Sequence, residues 1–505
     1  MSYLGVDIGT SGCKAVAFNA EGKLLAQAHR EYRVGTPQPG WAELDSEDVC
    51  RRCLEVIREV NRSCAGDPVC ALGVSSQGEA FTPVDAAGRC LAHAQVSSDA
   101  RAADLARDWS AEFGRERLYQ ITGHTAHPMF TLFKLLWLRD NQPRVWAQAA
   151  RFLCFEDLLH TRLGVEPAMG WPLAGRTMLF DVRKHSWDEG ILKRAGLEPT
   201  RLPRTLPAGA VVGTVPRRIG EELGFSREVL VVAGGHDQPV SALGAGITAP
   251  GMAAYATGTT ECITPAFAAP AFSPELLDGN LCTYDFSLPG MYCTVAFSLT
   301  GGNILKWFRD EFGAAEAAEA ERTGVPAYEI LLRELSPEPT PLLVLPYFTP
   351  SGTPYFDTRT TGAILGLRLT TTRGEVLRAL LEGVAFEMRL NLDILQRSGV
   401  SIRELRATGG GARNAAWNQL KADVLDKPIT SVAITECGAM GAALLAAAGG
   451  EFGRAAAGSR TTAQALAREW VRTGQVFEPT RSRAAHYRAQ FEQYRCLYPA
   501  LRALG

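Results

Sequence analysis

The sequence predicts an α/β protein made of two similar halves that face each other across a cleft. Two observations carry this. "YLGVDIGTSGCKAVAFN" (3–19) and "GMAAYATGTTECITPAF" (251–267) each read as a strand, a Gly-Thr-[Ser/Thr] tip and a second strand. Each half also runs a strand through a glycine loop into a helix, at "EVLVVAGGHDQPVSALGAG" (228–246) and "LRATGGGARNAAWNQLKADVL" (405–425). The recurrence in order points to a duplicated unit. A chain of 505 residues also exceeds what one hydrophobic core usually spans.

The elements follow in order. Residues 3–18 alternate at a period of two, the strand pattern, and "GKLLAQAHREY" continues it. "DSEDVCRRCLEVIREVN" is a helix: Ser46 caps it, acids fill its first turn, and Val49, Cys53, Leu54, Ile57 and Val60 share a face. "CALGVSSQGEAFTPVD" is a second strand that ends in a polar loop. Helices dominate 99–163, Pro/Gly-rich loops occupy 164–216, and 228–246 is a buried strand, a loop and a helix. After "TAPG" the chain begins again, which puts one domain at 1–248 and a second at 249–480. Residues 481–505 form a closing helix that packs back on the body.

Hydrophobic content of 46%, charged content of 21% and a net charge of −2 fit a globular enzyme and make no electrostatic case for nucleic acid or anionic membrane. "MSYLGVDIG" lacks the basic and apolar regions of a signal peptide. "AMGAALLAAAGG" is shorter than the roughly 20 residues a membrane span needs and reads as a buried helix. The twelve cysteines have no framework spacing, which favours a reducing cytoplasm.

The P-loop, the dinucleotide fingerprint and H-E-x-x-H are all absent. Cys50 and Cys53 read as buried structural cysteines rather than zinc ligands. His124 and His127 read as part of a loop near a pocket rather than a metal site. The first hairpin differs from a plain turn, because a turn accounts for its glycines but not for Asp7 inside an apolar strand. A buried isolated carboxylate costs on the order of several kcal/mol; a Mg²⁺ ion, direct or through water, would resolve that. Thr10, Ser11 and the tip amides could then grip phosphate oxygens, with Lys14 adding charge. Gly258, Thr259 and Thr260 offer a matching set. Asp237 follows a strand where open α/β sheets place ligands, and a carboxylate there can take a proton from an attacking hydroxyl. It can also cap the helix that follows. Gly409, Gly410, Gly411 and Asn414 let backbone approach a flat or phosphorylated ligand, although a tight strand-to-helix turn would use the same glycines.

Taken together, these motifs resemble the FGGY carbohydrate kinases. "GVDIGTSGCKAVAFN", "GVSSQGEAFTPVD", "KLLWLRDNQP", "GGHDQPVSALGAG", "ATGTTE", "GGNILKWFRDEF", "RALLEGVAFEMR", "ATGGGARNAAWNQLKADVL" and "ECGAMGAALLAA" occur in that family's order over nearly the whole chain. The resemblance implies two ribonuclease-H-like domains of the actin, hexokinase and Hsp70-ATPase architecture, closing on a sugar or polyol and on ATP with Mg²⁺. Asp237 would be the catalytic base and Asp7 would sit near the metal. Thr10, Ser11, Lys14, Gly258 and Thr259 would surround the phosphates, with Gly302, Gly410 and Asn414 bordering the nucleotide. Gln77, Glu79, Asp99, Arg101 and Gln238 would bind a ketose or sugar alcohol. The motif set looks closest to the xylulokinase branch; Glu79, as in glycerol kinases, makes a polyol second. Dimers are common in the family it resembles, which admits a homodimer, although the sequence itself carries no trace of oligomeric state.

Four positions depart from the family pattern. Gly78 replaces a bulkier residue, Glu79 stands where xylulokinases carry histidine, and a serine replaces the tryptophan ahead of Asp99. His236 stands where small residues are common and is expected to bond backbone. The rivals are an Hsp70-type ATP-driven binder, which would need a further peptide-binding domain, and a sugar sensor that has lost catalysis, against which Asp7, Thr10 and Asp237 argue.

Overall fold

β1 (Ser2–Ile8) and β2 (Gly12–Asn19) pair antiparallel around the first tip, with Asp7 opposite Lys14, and β3 (Leu24–Glu31) extends the hairpin. The computed structural model describes residues 1–450 and 462–502. On the other side of β1, β4 (Val69–Ser76) and then β6 (Leu230–His236) add in parallel, and β5 (Val211–Thr214) closes that edge antiparallel to β6. The second sheet repeats this plan. β7 (Met252–Thr257) and β8 (Glu261–Phe267) form the hairpin, and β9 (Ala296–Ser298) lies against β8. β10 (Glu404–Thr408) and β11 (Ile429–Val432) add in parallel beside β7, and β12 (Thr473–Phe477) closes the edge antiparallel to β11. Both sheets therefore share the order third, second, first, fourth, followed by one more parallel strand and an antiparallel edge strand. β1 and β4 are buried along nearly their whole length, as strands covered by helices on both faces must be; Leu4, Val6, Ala15 and Ala17 are fully buried.

α1 (Ser46–Ser63) covers one face of the first sheet with Val49, Cys53, Ile57 and Val60 buried. Its cap is Asp45, which accepts from the amides of Glu47 and Asp48. Ser46, the expected cap, is already inside the helix and turns inward to the Thr82 hydroxyl at 2.7 Å. Cys50 and Cys53 are buried in this face, and among the described residues no group of three or more His, Cys, Asp or Glu could hold a metal. β6 runs into α2 (Asp237–Gly244) with no intervening loop: His236 is the last strand residue and Asp237 the first helical one. The stretch 164–216, expected as loops, contains the helices Trp171–Gly175 and Glu189–Ala195 and short strands.

The second half supplies α3 (Gly302–Phe312), the long α4 (Arg373–Arg397) and α5 (Ala415–Leu425). α6 (Cys437–Gly449) then crosses to the first sheet. The contact is so close that a Cβ on Gly5 would fall 1.8 Å from the Ala439 carbonyl oxygen, and one on Gly73 would fall 2.3 Å from that of Ala442. A Cβ on Gly441 would fall 1.9 Å from the Val240 carbonyl oxygen, so α2 and α6 also meet backbone to backbone. Small residues all along α6 are what this double contact requires. α7 (Ala463–Trp470) caps it, with Trp470 packed on Tyr3 at 6.0 Å between ring centroids.

The expected closing helix is two, α8 (Arg481–Tyr494) and α9 (Leu497–Arg502). Tyr487, Phe491 and Tyr494 bury against α4 and α5, and Gln490 donates to the carbonyls of Thr340 and Leu342. Residues 451–461 of the expected second domain and 503–505 of the closing helix lie outside the described residues. Among those described, no helix is long and apolar enough to cross a membrane.

Candidate active site

The first hairpin brings Asp7 to the end of β1, where the Ser75 hydroxyl donates to its Oδ1 at 2.6 Å. A Cβ on Gly438, in the first turn of α6, would fall 2.6 Å from the Asp7 carboxyl carbon, so glycine there lets the carboxylate sit against a helix N-terminus. Burial raises the Asp7 pKa, opposed by Ser75 and Lys14. Lys14 itself reaches Glu436, just before α6, at 2.6 Å. Thr10 and Ser11 form the exposed tip.

Gln77, expected toward a sugar, is committed to this hairpin. Its Nε2 donates to the Gly9 carbonyl at 3.0 Å, and its Oε1 accepts from the Thr10 hydroxyl at 3.4 Å. Both ends of the amide are used, so its visible role is to brace the tip.

Asp237 opens α2 beside this hairpin, with its side chain 28% exposed to the cleft. Partial burial, then the charges of Asp7 and Glu79, push its pKa up to about 7; a hydrogen bond from Gln238 opposes them. The negative charge of Asp7 thus reaches Asp237, and carboxylates are the oxygen donors that a hard cation takes.

Glu79 is buried at φ +66, a conformation rare for a residue with a Cβ. Arg176 Nε donates to its Oε1 at 2.6 Å, and Ser97, the serine in place of tryptophan, donates to its Oε2 at 2.6 Å. His124 Nε2 lies 3.2 Å from Arg176 Nη1, and burial drives the His124 pKa down to about 3, keeping it neutral beside the guanidinium. His127 is likewise lowered to about 4 by burial. The His124 ring packs on Phe130 and Tyr284, and the His127 ring on Phe356. Arg176 sits in the stretch expected as loops and has no motif around it; a buried arginine is not legible before its partner is known.

Asp99 and Arg101, expected to touch the substrate, satisfy each other. Asp99 Oδ1 accepts from the Arg101 amide and Nε, and its Oδ2 accepts from the Ala42 amide at 2.7 Å and Arg101 Nη2 at 2.7 Å. The guanidinium also pairs with Glu43 at 2.8 Å and stacks 3.6 Å from the Trp41 ring centroid. Both side chains are almost fully buried and tied to each other, to Glu43 and to the Ala42 amide.

The second hairpin is stitched to a helix. The Gly302 amide donates to the Gly258 carbonyl at 2.8 Å and the Asn303 amide to Thr259 at 3.2 Å. A Cβ on Gly302 would fall 2.5 Å from the Gly258 carbonyl oxygen, which accounts for that glycine. Gly258, Thr259, Gly302, Gly410 and Asn414 line one cavity of about 780 Å³, walled by Tyr328 and Trp417. That volume and an aromatic lining suit a nucleotide. Asn414 also caps α5 by accepting from the Trp417 amide at 2.9 Å, and Gly409 takes φ +81 in the turn, so the turn and the ligand readings hold together.

His236 does not bond backbone as expected. Its Nδ1 meets the Tyr284 hydroxyl at 2.9 Å and its Nε2 lies 3.2 Å from Asp237 Oδ1.

The comparisons agree with this layout. Residues 2–244 match the model of the FGGY carbohydrate kinase N-terminal domain and 253–450 that of the C-terminal domain. A xylulose kinase from Lactococcus lactis is 28% identical, over 89% of this chain and 88% of its own. A glycerol kinase from Ralstonia pickettii is 31% identical, over 97% of each. The crystal structure of a xylulose kinase from Rhodospirillum rubrum superposes with a TM-score of 0.88 at 27% identity, covering 100% of this chain and 99% of that one. With a duplicated sheet, two facing hairpins and both domain models matched in order, the chain belongs to the FGGY family of carbohydrate kinases.

Proposed function

We propose that the protein transfers the terminal phosphoryl group of ATP to a hydroxyl of a ketose of the xylulose type, with Asp237 as the general base. The observation that supports this is the setting of Asp237: it opens α2 directly after a buried strand, keeps its side chain 28% exposed, and feels the charges of Asp7 and Glu79. Asp237 accepts the proton of the attacking hydroxyl, and Gln238 orients the carboxylate that does so. The tips at Thr10–Ser11 and Gly258–Thr259 grip the phosphates from opposite sides, and Lys14 lends charge. Asp7, with Asp237 near it, would hold Mg²⁺, directly or through water; the ion supplies charge neutralisation on the transferring phosphoryl group. Gly302, Gly410 and Asn414 border the nucleotide. Glu79, Gln238 and the Arg176–His124 wall form the sugar side, while Gln77 acts through the hairpin. Closure of the halves excludes water, the competing nucleophile.

A polyol such as glycerol is the second reading, favoured by Glu79 and by the glycerol kinase relative. An ADP-release assay against ketoses, polyols and aldonates tests both. Turnover of xylulose supports the first and preference for glycerol the second; no turnover with any acceptor, while ATP still binds, would replace both with a sensor.

A further inference from the structure

Gly78 and His236 are each unusual for the family, and the structure makes them one feature. A Cβ on Gly78 would fall 2.8 Å from His236 Cδ2 and 3.0 Å from His236 Nε2, inside the ring's contact distance. The backbone at Gly78 is outside the left-handed region, so its conformation does not demand glycine. The imidazole does. The ring fills the room that a side chain at 78 would take, and so lies against the residue proposed as the base.

The ring's partners fix how it can act. Nδ1 meets the Tyr284 hydroxyl at 2.9 Å, and that hydroxyl can donate to it. The remaining ring proton then sits on Nε2, 3.2 Å from Asp237 Oδ1, so that a small turn of the carboxylate aligns the two as donor and acceptor. His236 is 5% exposed, so these neighbours rather than solvent set its orientation. Tyr284 belongs to the second half of the chain and Asp237 to the first, so the brace joins the two halves within one buried cluster.

We propose that His236 is a positioning residue for Asp237: its Nε2–H donates to the carboxylate, Tyr284 fixes the tautomer, and Gly78 provides the space. The inference rests on Asp237 being the base. A carboxylate held by donors at two points, Gln238 and His236, presents one oxygen to the incoming hydroxyl in one orientation, which is what proton transfer needs.

The test uses the full-length protein with ATP and whichever of xylulose, glycerol or gluconate it phosphorylates, with Asp237→Ala in parallel. His236→Ala is expected to lower kcat ten- to a hundredfold while KM for ATP and for the acceptor stay within about threefold. Gly78→Ala should cause a similar loss, because the methyl displaces the ring. In the double variant the two losses should not multiply, since with the ring gone the methyl has nothing to displace. His236→Gln, which keeps an N–H donor, should recover part of kcat, and Tyr284→Phe should lower kcat without moving KM. Should His236→Ala fail to fold, the Gln and Phe variants and Gly78→Ala carry the test alone. Losses that multiply, or a rise in acceptor KM at unchanged kcat, would overturn the proposal. An active Asp237→Ala would instead remove the reading beneath it.

Discussion

Lys14 and Glu436 meet at 2.6 Å although 422 positions separate them in the chain, and their contact ties the first hairpin to the start of α6. The lysine expected to serve phosphate is thus held beside the site by a carboxylate from the other half. The pair is 38% and 23% exposed, so it adds little to stability, about 0–1 kcal/mol.

Lys14→Ala should therefore raise KM for ATP about tenfold with the melting temperature almost unchanged. Glu436→Gln should shift KM for ATP less than threefold. Steady-state kinetics and a thermal melt check both.

Gly438→Ala isolates the role of Asp7. The new methyl would fall 2.6 Å from the Asp7 carboxyl carbon, and the carboxylate must move off the helix end. Turnover should fall at least tenfold, and the loss should shrink as Mg²⁺ is raised, read from a magnesium titration of kcat/KM.

Glu79→Ala strands Arg176 in the pocket wall without its carboxylate. Removing one partner of a buried pair costs about 3–5 kcal/mol, so the variant should melt well below the parent. Glu79→Gln, which keeps acceptor and volume, should fold better and raise the acceptor KM far more than the ATP KM. Equal effects on both substrates would put Glu79 outside the sugar side.

The raised pKa of Asp237 makes activity and stability move in opposite directions with pH. A base must be deprotonated, so kcat/KM for the acceptor should rise as pH passes through about 7. The folded protein holds this proton more tightly than the unfolded chain, so ionising Asp237 destabilises the fold above the unfolded value and does so fully above about 7. Asp237→Asn should accordingly be more stable than the parent at pH 8, by about 2 kcal/mol or several °C, and no more stable near pH 3. Melts at the two pH values decide it.

The local features of this site were legible in the chain and the long-range ones were not. Asp7 within an apolar strand, the tips at 9–12 and 258–260, and Asp237 after a buried strand announce themselves because each conflicts with its immediate neighbours. The surroundings of Gln77, Asp99 and Arg101 were not legible for the opposite reason: a polar side chain looks the same in sequence whether it faces a ligand or a neighbour. Only the fold shows that the Gln77 amide is spent on the Gly9 carbonyl and the Thr10 hydroxyl, and that Asp99 is closed by Arg101 and the Ala42 amide. Ser97 and Glu79 were each visible as departures, but Arg176, which joins them into one network, lay unmarked in a stretch of short elements. The crossing of α6 onto the first sheet was likewise hidden, since small residues mark close packing without saying against what.

The most direct measurement is Asp237→Ala, assayed for phosphoryl transfer to the acceptor and, by calorimetry, for ATP binding. The account predicts that turnover falls a thousandfold or more while the affinity for ATP stays within about threefold. Near-normal turnover would contradict it.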